Sequence, residues 1–248
     1  MKKDSNQIFI QARMGSIRLP GKVLMKICGK TVIELIVERL QKVKDIDRIV
    51  LVTSNKKQDE PLVKESKKLK IDYFKGSEEN VLDRFYQASL KFKPDNIIRV
   101  TGDCPLIDFN LINKGLKIFK KGNYDVLSNT RVRTFPDGFD FEIFKSGVLK
   151  TSWQENKFKE KFINPVKYLL EKKKFKNKDL INNKNLSNIR LILDYKEDFE
   201  LIKKIYESFK NKYFTQKNIL NILKKKPYLL NLNKKYICLD YGIKVEKK

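Results

Sequence analysis

A stretch near the amino terminus, QIFIQARMGSIRLPGK over residues 7–22, carries side chains that can bind phosphate. Its second part, called here the cationic loop (residues 13–22), contains three cations and two small residues: Arg13, Arg18, Lys22, Gly15 and Ser16. Gly15 lets the backbone approach a ligand closely, and successive N–H groups of such a loop can converge on oxyanions. We therefore predict a polyphosphate-binding loop. The alternative is an ordinary surface loop in a very basic protein.

The cationic loop does not match the common nucleotide-binding motifs. A P-loop has four residues between its glycines and then Lys followed by Ser or Thr. Here five residues separate Gly15 from Gly21, and Lys22 is followed by Val23. The sequence also contains no GxGxxG motif, so a dinucleotide-binding fold has no support.

Two carboxylates follow apolar segments that we predict to be buried strands. Asp103 comes after NIIRVT at residues 96–101, and Asp194 ends IRLILD at residues 189–194. Open α/β sheets bind ligands beyond the carboxyl ends of their parallel strands. Both carboxylates are therefore candidates for a binding site shared with the cationic loop.

A second pair of carboxylates alternates with apolar residues in FDFEIF at residues 139–144. In a strand, Asp140 and Glu142 would lie on one face, roughly 6–7 Å apart. Such a pair could bind a metal or a polyol. A half-exposed edge strand is the equally good alternative.

Arginine is rare in this lysine-rich chain, where it makes up nine of 55 basic residues. Because its planar guanidinium can contact phosphate or carboxylate in bidentate fashion, its positions are informative. Six arginines fall in the loops and strand ends of interest: Arg13, Arg18, Arg84, Arg99, Arg131 and Arg133. The other three, Arg39, Arg48 and Arg190, lie elsewhere in our interpretation.

Composition excludes several classes of protein. The chain has 248 residues, 41% of them hydrophobic, which suits a single domain over residues 1–248 with a C-terminal arm from about residue 226. It has no histidine, so catalysis by histidine and metal sites with histidine ligands are excluded. No apolar run reaches 18 residues and no signal-like segment opens the chain, so we expect a soluble cytoplasmic protein without membrane contact. Acidic residues are interleaved with the lysines behind the net charge of +25, which argues against a specific nucleic-acid partner.

Hydrophobic patterns predict alternating strands and helices, and thus one mostly parallel sheet covered on both faces. The predicted strands lie at about residues 8–10, 48–53, 72–74, 96–101, 124–129, 139–144 and 189–194. The predicted helices lie at about residues 31–43, 58–70, 108–121, 146–153, 160–173, 197–210 and 215–225. One more helix is expected after Ser77, which would cap it, with Glu78 and Glu79 in its first turn.

Five motifs carry a family resemblance: QARMGSIRLPGKVLMKICGK, GSEENVLDRFYQA, TGDCPLID, PDGFDFEIF and LDYKEDFELI. In this order they resemble the cytidylyltransferases related to CMP-KDO synthetase, and most of all the branch named for a spore coat polysaccharide biosynthesis protein. The similarity covers roughly residues 7–233. It implies a three-layer α/β sandwich of the nucleotide-diphospho-sugar transferase type. It also implies transfer of CMP from CTP to an acidic sugar or related acceptor, with Mg²⁺ as cofactor and pyrophosphate as product.

The resemblance also implies a role for each matching residue. Catalytic roles would fall to Arg13, Lys22 and Asp103, and CTP binding to Gly15, Ser16, Arg18 and Arg84. Asp103 and Asp194 would hold the metal, and Asp140 and Glu142 would face the acceptor. A homodimer is one assembly that the resemblance leaves open.

One departure from the family pattern concerns the acceptor. Relatives tend to show a helix beginning Arg-Glu-His-Val-Thr-Pro, where this chain has EKFINP at residues 160–165. The lost cation and imidazole leave the acceptor's identity open. Two other functions remain as alternatives at this point: a glycosyltransferase of the same fold that uses a nucleotide sugar, and a basic nucleic-acid-binding protein.

Overall fold

A seven-stranded sheet organises the computed structural model, which describes residues 4–156, 168–170, 173–211 and 213–236. In chain order the strands are β1 (Asn6–Gln11), β2 (Lys26–Ile27), β3 (Lys30–Thr31), β4 (Arg48–Ser54), β5 (Asp72–Gly76), β6 (Asn96–Thr101), β7 (Val126–Ser128), β8 (Phe141–Lys145) and β9 (Asn177–Asp179). The main sheet has the order β5-β4-β1-β6-β8-β7-β9, and β2 pairs with β3 in a separate antiparallel ribbon.

The sheet is mostly parallel, as predicted. The pairs β4–β5, β1–β4 and β1–β6 are parallel, whereas β8 runs antiparallel to both β6 and β7. Strand β9 pairs with β7 in parallel. The parallel strands β1, β4 and β6 therefore end at one edge of the sheet, next to the cationic loop.

Five of the seven described helices lie between strands and two follow β9: α1 (Val32–Leu40), α2 (Glu60–Lys68), α3 (Val81–Phe92), α4 (Phe109–Gly122), α5 (Ser146–Asn156), α6 (Lys196–Glu207) and α7 (Gln216–Lys225). Side chains cap several of them as the sequence indicates. Thr31 accepts an N–H at the start of α1, and Asp108 does the same for α4. The helix predicted over about 160–173 lies mostly outside the described residues.

The two faces of the sheet are covered by two apolar clusters. Alternation along β1 sends Ile8 and Ile10 into one cluster with α1, α4, α6 and α7, and Phe9 into the other with α3 and α5. The architecture is therefore the predicted three-layer α/β sandwich. None of the helices in the described part of the chain has the length and apolar run that crossing a bilayer requires.

The start of α3 differs from the prediction. Ser77 does not cap the helix; the side chain of Asn80 does, and it accepts the N–H at the third helical position at 2.9 Å. The Ser77 hydroxyl accepts the N–H of Asn80 at 3.0 Å, so a turn separates β5 from the helix. Strand β5 is longer than predicted and the helix begins later than predicted. Glu78 and Glu79 therefore lie in the turn between them rather than in the helix.

The strand predicted over residues 189–194 is wrong. Within the described residues this segment forms a single isolated bridge, between Arg190 and Asp137. The N–H groups of Leu191 and Leu193 donate to loop carbonyls at 2.7 and 2.8 Å. Because β6 already pairs with β1 and β8, the segment finds no free strand edge beside it. Leu191 and Leu193 are buried, and Ile189 and Ile192 are partly buried, without forming a strand ladder.

Two further strand assignments also need correction. The alternative of an edge strand for FDFEIF is wrong, because β8 lies between β6 and β7. Strand β9 was not predicted, since its residues Asn177–Asp179 are all polar and lack the alternation that marks a strand.

Residues 227–236, part of the stretch expected to form an arm, are called here the C-terminal segment. It contains two short 3₁₀ turns, Pro227–Asn231 and Lys234–Tyr236. The segment packs against α6 and α7, with Leu229 and Asn233 buried.

Candidate active site

A cleft of about 650 Å³ opens at the carboxyl ends of β1 and β6. It is lined by seven of the ten predicted site residues: Arg13, Ser16, Arg18, Lys22, Arg84, Asp103 and Asp194. Residues that are far apart in sequence thus meet at the edge of the sheet where ligand binding was expected.

The cationic loop is folded around the carbonyl of Met14. The N–H groups of Ser16 and Gly21 donate to this oxygen at 2.9 and 3.1 Å. These two groups are therefore satisfied inside the loop, which differs from the expected convergence of N–H groups on an anion. Gly21 has a φ of 71°, a left-handed conformation that favours glycine. The loop presents its cationic side chains to the cleft.

A buried carboxylate, Asp59, fixes the loop in place. One of its oxygens accepts the N–H of Met14 at 2.7 Å. The other accepts the Thr53 hydroxyl and the Ser54 N–H, both at 3.1 Å. From the sequence, Asp59 is recognised only as an acidic residue in the first turn of a predicted helix. No local pattern could have revealed its hydrogen bond to the cationic loop.

Lys22 lies between two carboxylates. Its Nζ donates to Asp103 Oδ2 at 3.0 Å, to Asp194 Oδ1 at 2.7 Å and to the Leu193 carbonyl at 2.8 Å. Burial alone would lower the pKa of Lys22, but the charges of Asp103 and Asp194 outweigh it and raise that pKa above its ordinary value. For Asp103, burial acts to raise the pKa, but Lys22 and the Thr101 hydroxyl at 2.6 Å lower it below its usual range. The three predicted residues form one ion-paired group.

Asp194 has two further cationic partners. Its Oδ2 accepts from Arg18 Nη2 at 2.7 Å and from Arg190 Nη2 at 3.4 Å. Arg190 also contacts Asp198, through Nε and Nη2 at 3.0 Å each. Sequence reasoning placed Arg190 outside the site. The four-residue spacing to Asp194 was the only local signal, and it indicates contact only in a helix.

Arg84 is a buried cation in the wall of the cleft, 1% exposed. Its Nη1 donates to the Ser77 carbonyl at 2.7 Å, whereas its Nε has no hydrogen-bond partner among the residues that the structure describes. Burial, and then the charge of nearby Arg13, lowers the pKa of Arg84 to about 10. An unpartnered donor on a buried cation is expected to bind an anionic or carbonyl oxygen.

The structure does not bring Asp140 and Glu142 into the lining of the cleft. Glu142 is buried and pairs with Arg99 at 2.8 Å, and Asp140 pairs with Arg133 at 2.9 Å. Burial raises the pKa of Asp140 to about 7 against the opposing charge of Arg133. Arg99 also donates to Gln11, which does line the cleft. Glu142 is therefore connected to the lining of the cleft only indirectly, through Arg99.

Comparison with known proteins decides the family. A family model described as cytidylyltransferase matches residues 7–231. The chain belongs to the cytidylyltransferase family. This confirms the resemblance drawn from the motifs, and it favours a CTP-dependent nucleotidyltransferase over the glycosyltransferase alternative.

The relatives of this cytidylyltransferase are consistent with that assignment. An uncharacterised protein of Methanocaldococcus jannaschii is 35% identical over 227 residues, covering 90% of this chain and 92% of the relative. The spore coat polysaccharide biosynthesis protein SpsF of Bacillus subtilis is 32% identical, with 80% of this chain and 85% of the relative covered. A 3-deoxy-manno-octulosonate cytidylyltransferase of Hydrogenovibrio crunogenus is 35% identical over a shorter match, 48% of each chain.

A solved structure supports the fold of the cytidylyltransferase. A cytidylyltransferase from Leptospira borgpetersenii superposes with a TM-score of 0.84 at 30% identity, covering 92% of this chain and 97% of that one. The three-layer sandwich is thus shared with an experimentally known member of the family.

The donor set at the cleft fits a hard divalent cation. Asp103 and Asp194 both reach one ammonium group, so their oxygens lie close together. Mg²⁺ takes oxygen ligands and commonly binds one or two carboxylates together with substrate phosphates. Among the described residues no group of three or more acidic or cysteine side chains forms a complete protein-only metal site.

Proposed function

We propose that this cytidylyltransferase transfers CMP from CTP to a hydroxyl group of an acidic sugar or related acceptor in surface polysaccharide or glycoconjugate biosynthesis. The observation that carries the proposal is the cleft, where three arginines surround the same space as the Lys22–Asp103–Asp194 group. The names of two relatives, which refer to spore coat polysaccharide biosynthesis and to 3-deoxy-manno-octulosonate, support the class of acceptor. We expect the reaction to take place in the cytoplasm, where CTP is made.

The three arginines are suited to a triphosphate. The side chains of Arg13 and Arg18 are 45% and 40% exposed, so their guanidinium groups can also donate to phosphate oxygens. Arg84 adds its unpartnered Nε from within the wall. Two of these charges already face carboxylates, since Glu78 pairs with Arg13 at 3.4 Å and Asp194 pairs with Arg18 at 2.7 Å.

The proposed chemistry is a direct substitution at phosphorus. The acceptor oxygen attacks the α-phosphorus of CTP, a new oxygen–phosphorus bond forms, and the bond to the pyrophosphate oxygen breaks. The hydroxyl proton passes to solvent, and pyrophosphate leaves toward Arg18 and Lys22. Such reactions are accelerated chiefly by positioning and charge neutralisation, which these side chains provide.

Asp103 and Asp194 are the residues that would hold Mg²⁺. When bound, the metal would neutralise phosphate charge during the transfer. Lys22 keeps the two carboxylates together, since it donates to both. Asp140 and Glu142 are proposed to act on the acceptor side through their partners Arg133 and Arg99.

Release of pyrophosphate tests this proposal. The protein is incubated with Mg²⁺ and each of the four nucleoside triphosphates, with and without a panel of sugar acids and sugar phosphates. We expect pyrophosphate only with CTP and only when a suitable acceptor is present. Release with no preference for CTP would defeat the nucleotide assignment, and equal release with neutral sugars would defeat the acceptor class.

A further inference from the structure

The C-terminal segment contacts the residues that surround Asp194. Asn233 is 1% exposed, and its amide nitrogen donates to Asp198 Oδ1 at 2.8 Å and to the Arg190 carbonyl at 3.0 Å. Asn233 thus joins the segment to the arginine and carboxylate that support Asp194.

Asp198 is the centre of this support. It is fully buried, and its Oδ2 accepts the N–H groups of Asp194 and Tyr195, each at 3.0 Å. It also binds both Nε and Nη2 of Arg190, and Arg190 donates to the Asp194 carboxylate. Asp198 therefore fixes the backbone of Asp194 directly and its side chain through Arg190. Asn233 supplies one more donor to the same carboxylate.

A second contact of the C-terminal segment is aromatic. The ring of Tyr236 stacks on that of Tyr195, with centroids 3.7 Å apart and planes within 2° of parallel. Its hydroxyl donates to Glu197 at 3.1 Å. The guanidinium of Arg18 lies 5.4 Å from the centre of the Tyr195 ring and pairs with Asp194. Tyr236 is thus connected to a cation of the cleft through one aromatic ring.

We propose that the C-terminal segment completes the active site, with Asn233 and Tyr236 as positioning residues for Asp194 and Arg18. The inference rests on the proposed function, because it assigns these residues to the nucleotide and metal side of the same reaction. Neither residue lines the cleft. Asn233 acts through Asp198 and Arg190, and Tyr236 acts through Tyr195.

The segment itself offers a matched control for each test variant. Asn231 is exposed, so Asn231→Ala is the control for Asn233→Ala. Tyr228 is 60% exposed, so Tyr228→Leu is the control for Tyr236→Leu. Each pair makes the same chemical change in the same short segment, and only one member of each pair touches the support of the cleft.

Titration of CTP, with Mg²⁺ and with a chelator in its place, separates positioning from general structure. For Asn233→Ala we expect half-saturation by Mg²⁺ at about 10-fold higher concentration and kcat reduced by about 10-fold or more. The CTP dissociation constant without metal should stay within about twofold of wild type, since Arg13 and Arg84 are untouched. For Tyr236→Leu we expect about fivefold weaker CTP binding without metal, because the Tyr195 ring beside Arg18 loses the ring that it stacks on.

Thermal unfolding supplies a readout that does not depend on turnover. In wild type and both controls, Mg²⁺ added on top of CTP should raise Tm, and Asn233→Ala should lose most of this increment. If both test variants match their controls in CTP and Mg²⁺ binding, the proposal is overturned. An equal loss of CTP binding with and without metal in Asn233→Ala would also overturn it, since that indicates general disruption.

Two outcomes keep this inference apart from the proposed function. If wild-type protein releases no pyrophosphate from any triphosphate, the proposed function fails. If wild type is active and the variants behave as their controls, only the role of the segment fails. Should Asn233→Ala not fold, Tyr236→Leu decides the question, because its ring is only half-buried.

Discussion

Lys22 and Arg84 are both buried cations of the cleft, but their surroundings differ. Lys22 donates to two carboxylates and a carbonyl. In the described part of the chain, Arg84 has a carbonyl acceptor and no carboxylate ion pair. The charge of Lys22 is therefore balanced by two carboxylates, whereas that of Arg84 has no such balance among the described residues.

Replacing Asp103 tests the metal and nucleotide side of the cleft. Asp103→Asn removes the negative charge and keeps one oxygen acceptor, whereas Lys22 and the Thr101 hydroxyl donate to different oxygens of Asp103 in wild type. We expect pyrophosphate release to fall by roughly 10²-fold or more, with a circular dichroism spectrum like that of wild type. Asp45→Asn, at an exposed position, is the control. Normal turnover in Asp103→Asn would refute the metal assignment.

Arg84 should contribute to binding at a cost to stability. Arg84→Met removes a buried charged side chain whose Nε lacks a hydrogen-bond partner among the described residues. We expect Tm to stay the same or rise by a few degrees, while the CTP dissociation constant increases about 10-fold. Thermal unfolding and CTP titration measure the two effects. A large loss of stability without loss of CTP affinity would show that Arg84 is structural.

At the scale of whole elements, apolar segments of the sheet were predictable and their partners were not. The runs that became β1, β4 and β6 were recognised because buried parallel strands are continuously apolar. Residues 189–194 have the same composition but no strand, since the edge beside β6 is occupied by β8. A sequence pattern reports burial; whether a free edge exists depends on the rest of the chain.

Close packing of β1 and β6 at the cleft makes Gly102 a sensitive position. A Cβ there would lie 2.7 Å from Ala12 Cβ and 3.2 Å from Val23 Cγ1. Gly102→Ala should therefore separate the strand ends, lowering stability by about 1–3 kcal/mol and reducing turnover. Thermal unfolding and the pyrophosphate assay measure both effects. Gly147→Ala is the control, because nothing lies within 4 Å of its added methyl group; equal behaviour of the two variants would contradict the packing argument.

At the scale of the whole molecule, most of the positive charge lies on the surface, but the cleft depends on a few buried ion pairs. The sequence identified seven of the residues that line it, because their types stand out in loops and after apolar runs. It could not identify Asp59, Arg190, Asp198 or Asn233. These side chains act on the site through contacts between segments far apart in the chain, which no local pattern records.

The buried carboxyl of Asp140 should make stability depend on pH near neutrality. Its pKa is raised to about 7 in the folded protein, against about 3.9 when unfolded. Between these values the folded state holds a proton that the unfolded state has lost, so stability falls as pH rises from about 4 to 7. Asp140→Asn removes this dependence. We expect the Tm of Asp140→Asn, relative to that of wild type, to increase between pH 5 and pH 8. The corresponding difference in the free energy of unfolding changes by up to about 1.4 kcal/mol per pH unit.

A carboxyl with the opposite shift is the control for this measurement. Burial acts to raise the pKa of Asp125, but hydrogen bonds from the Lys176 N–H and from Lys145 lower it below its ordinary value. Asp125→Asn should therefore lose stability relative to wild type above about pH 4. A flat Tm difference for Asp140→Asn across this range would contradict the assignment.

Strand β8 is reversed relative to β6, so it begins at the edge of the sheet where β1 and β6 end. The loop before it, residues 129–140, lies at the same end of the sheet and is tied to the support of Asp194, because Asp137 bridges to Arg190 and Phe139 is buried. In evolutionary terms, a change of acceptor through this loop would have to preserve its contacts to the residues that support Asp194.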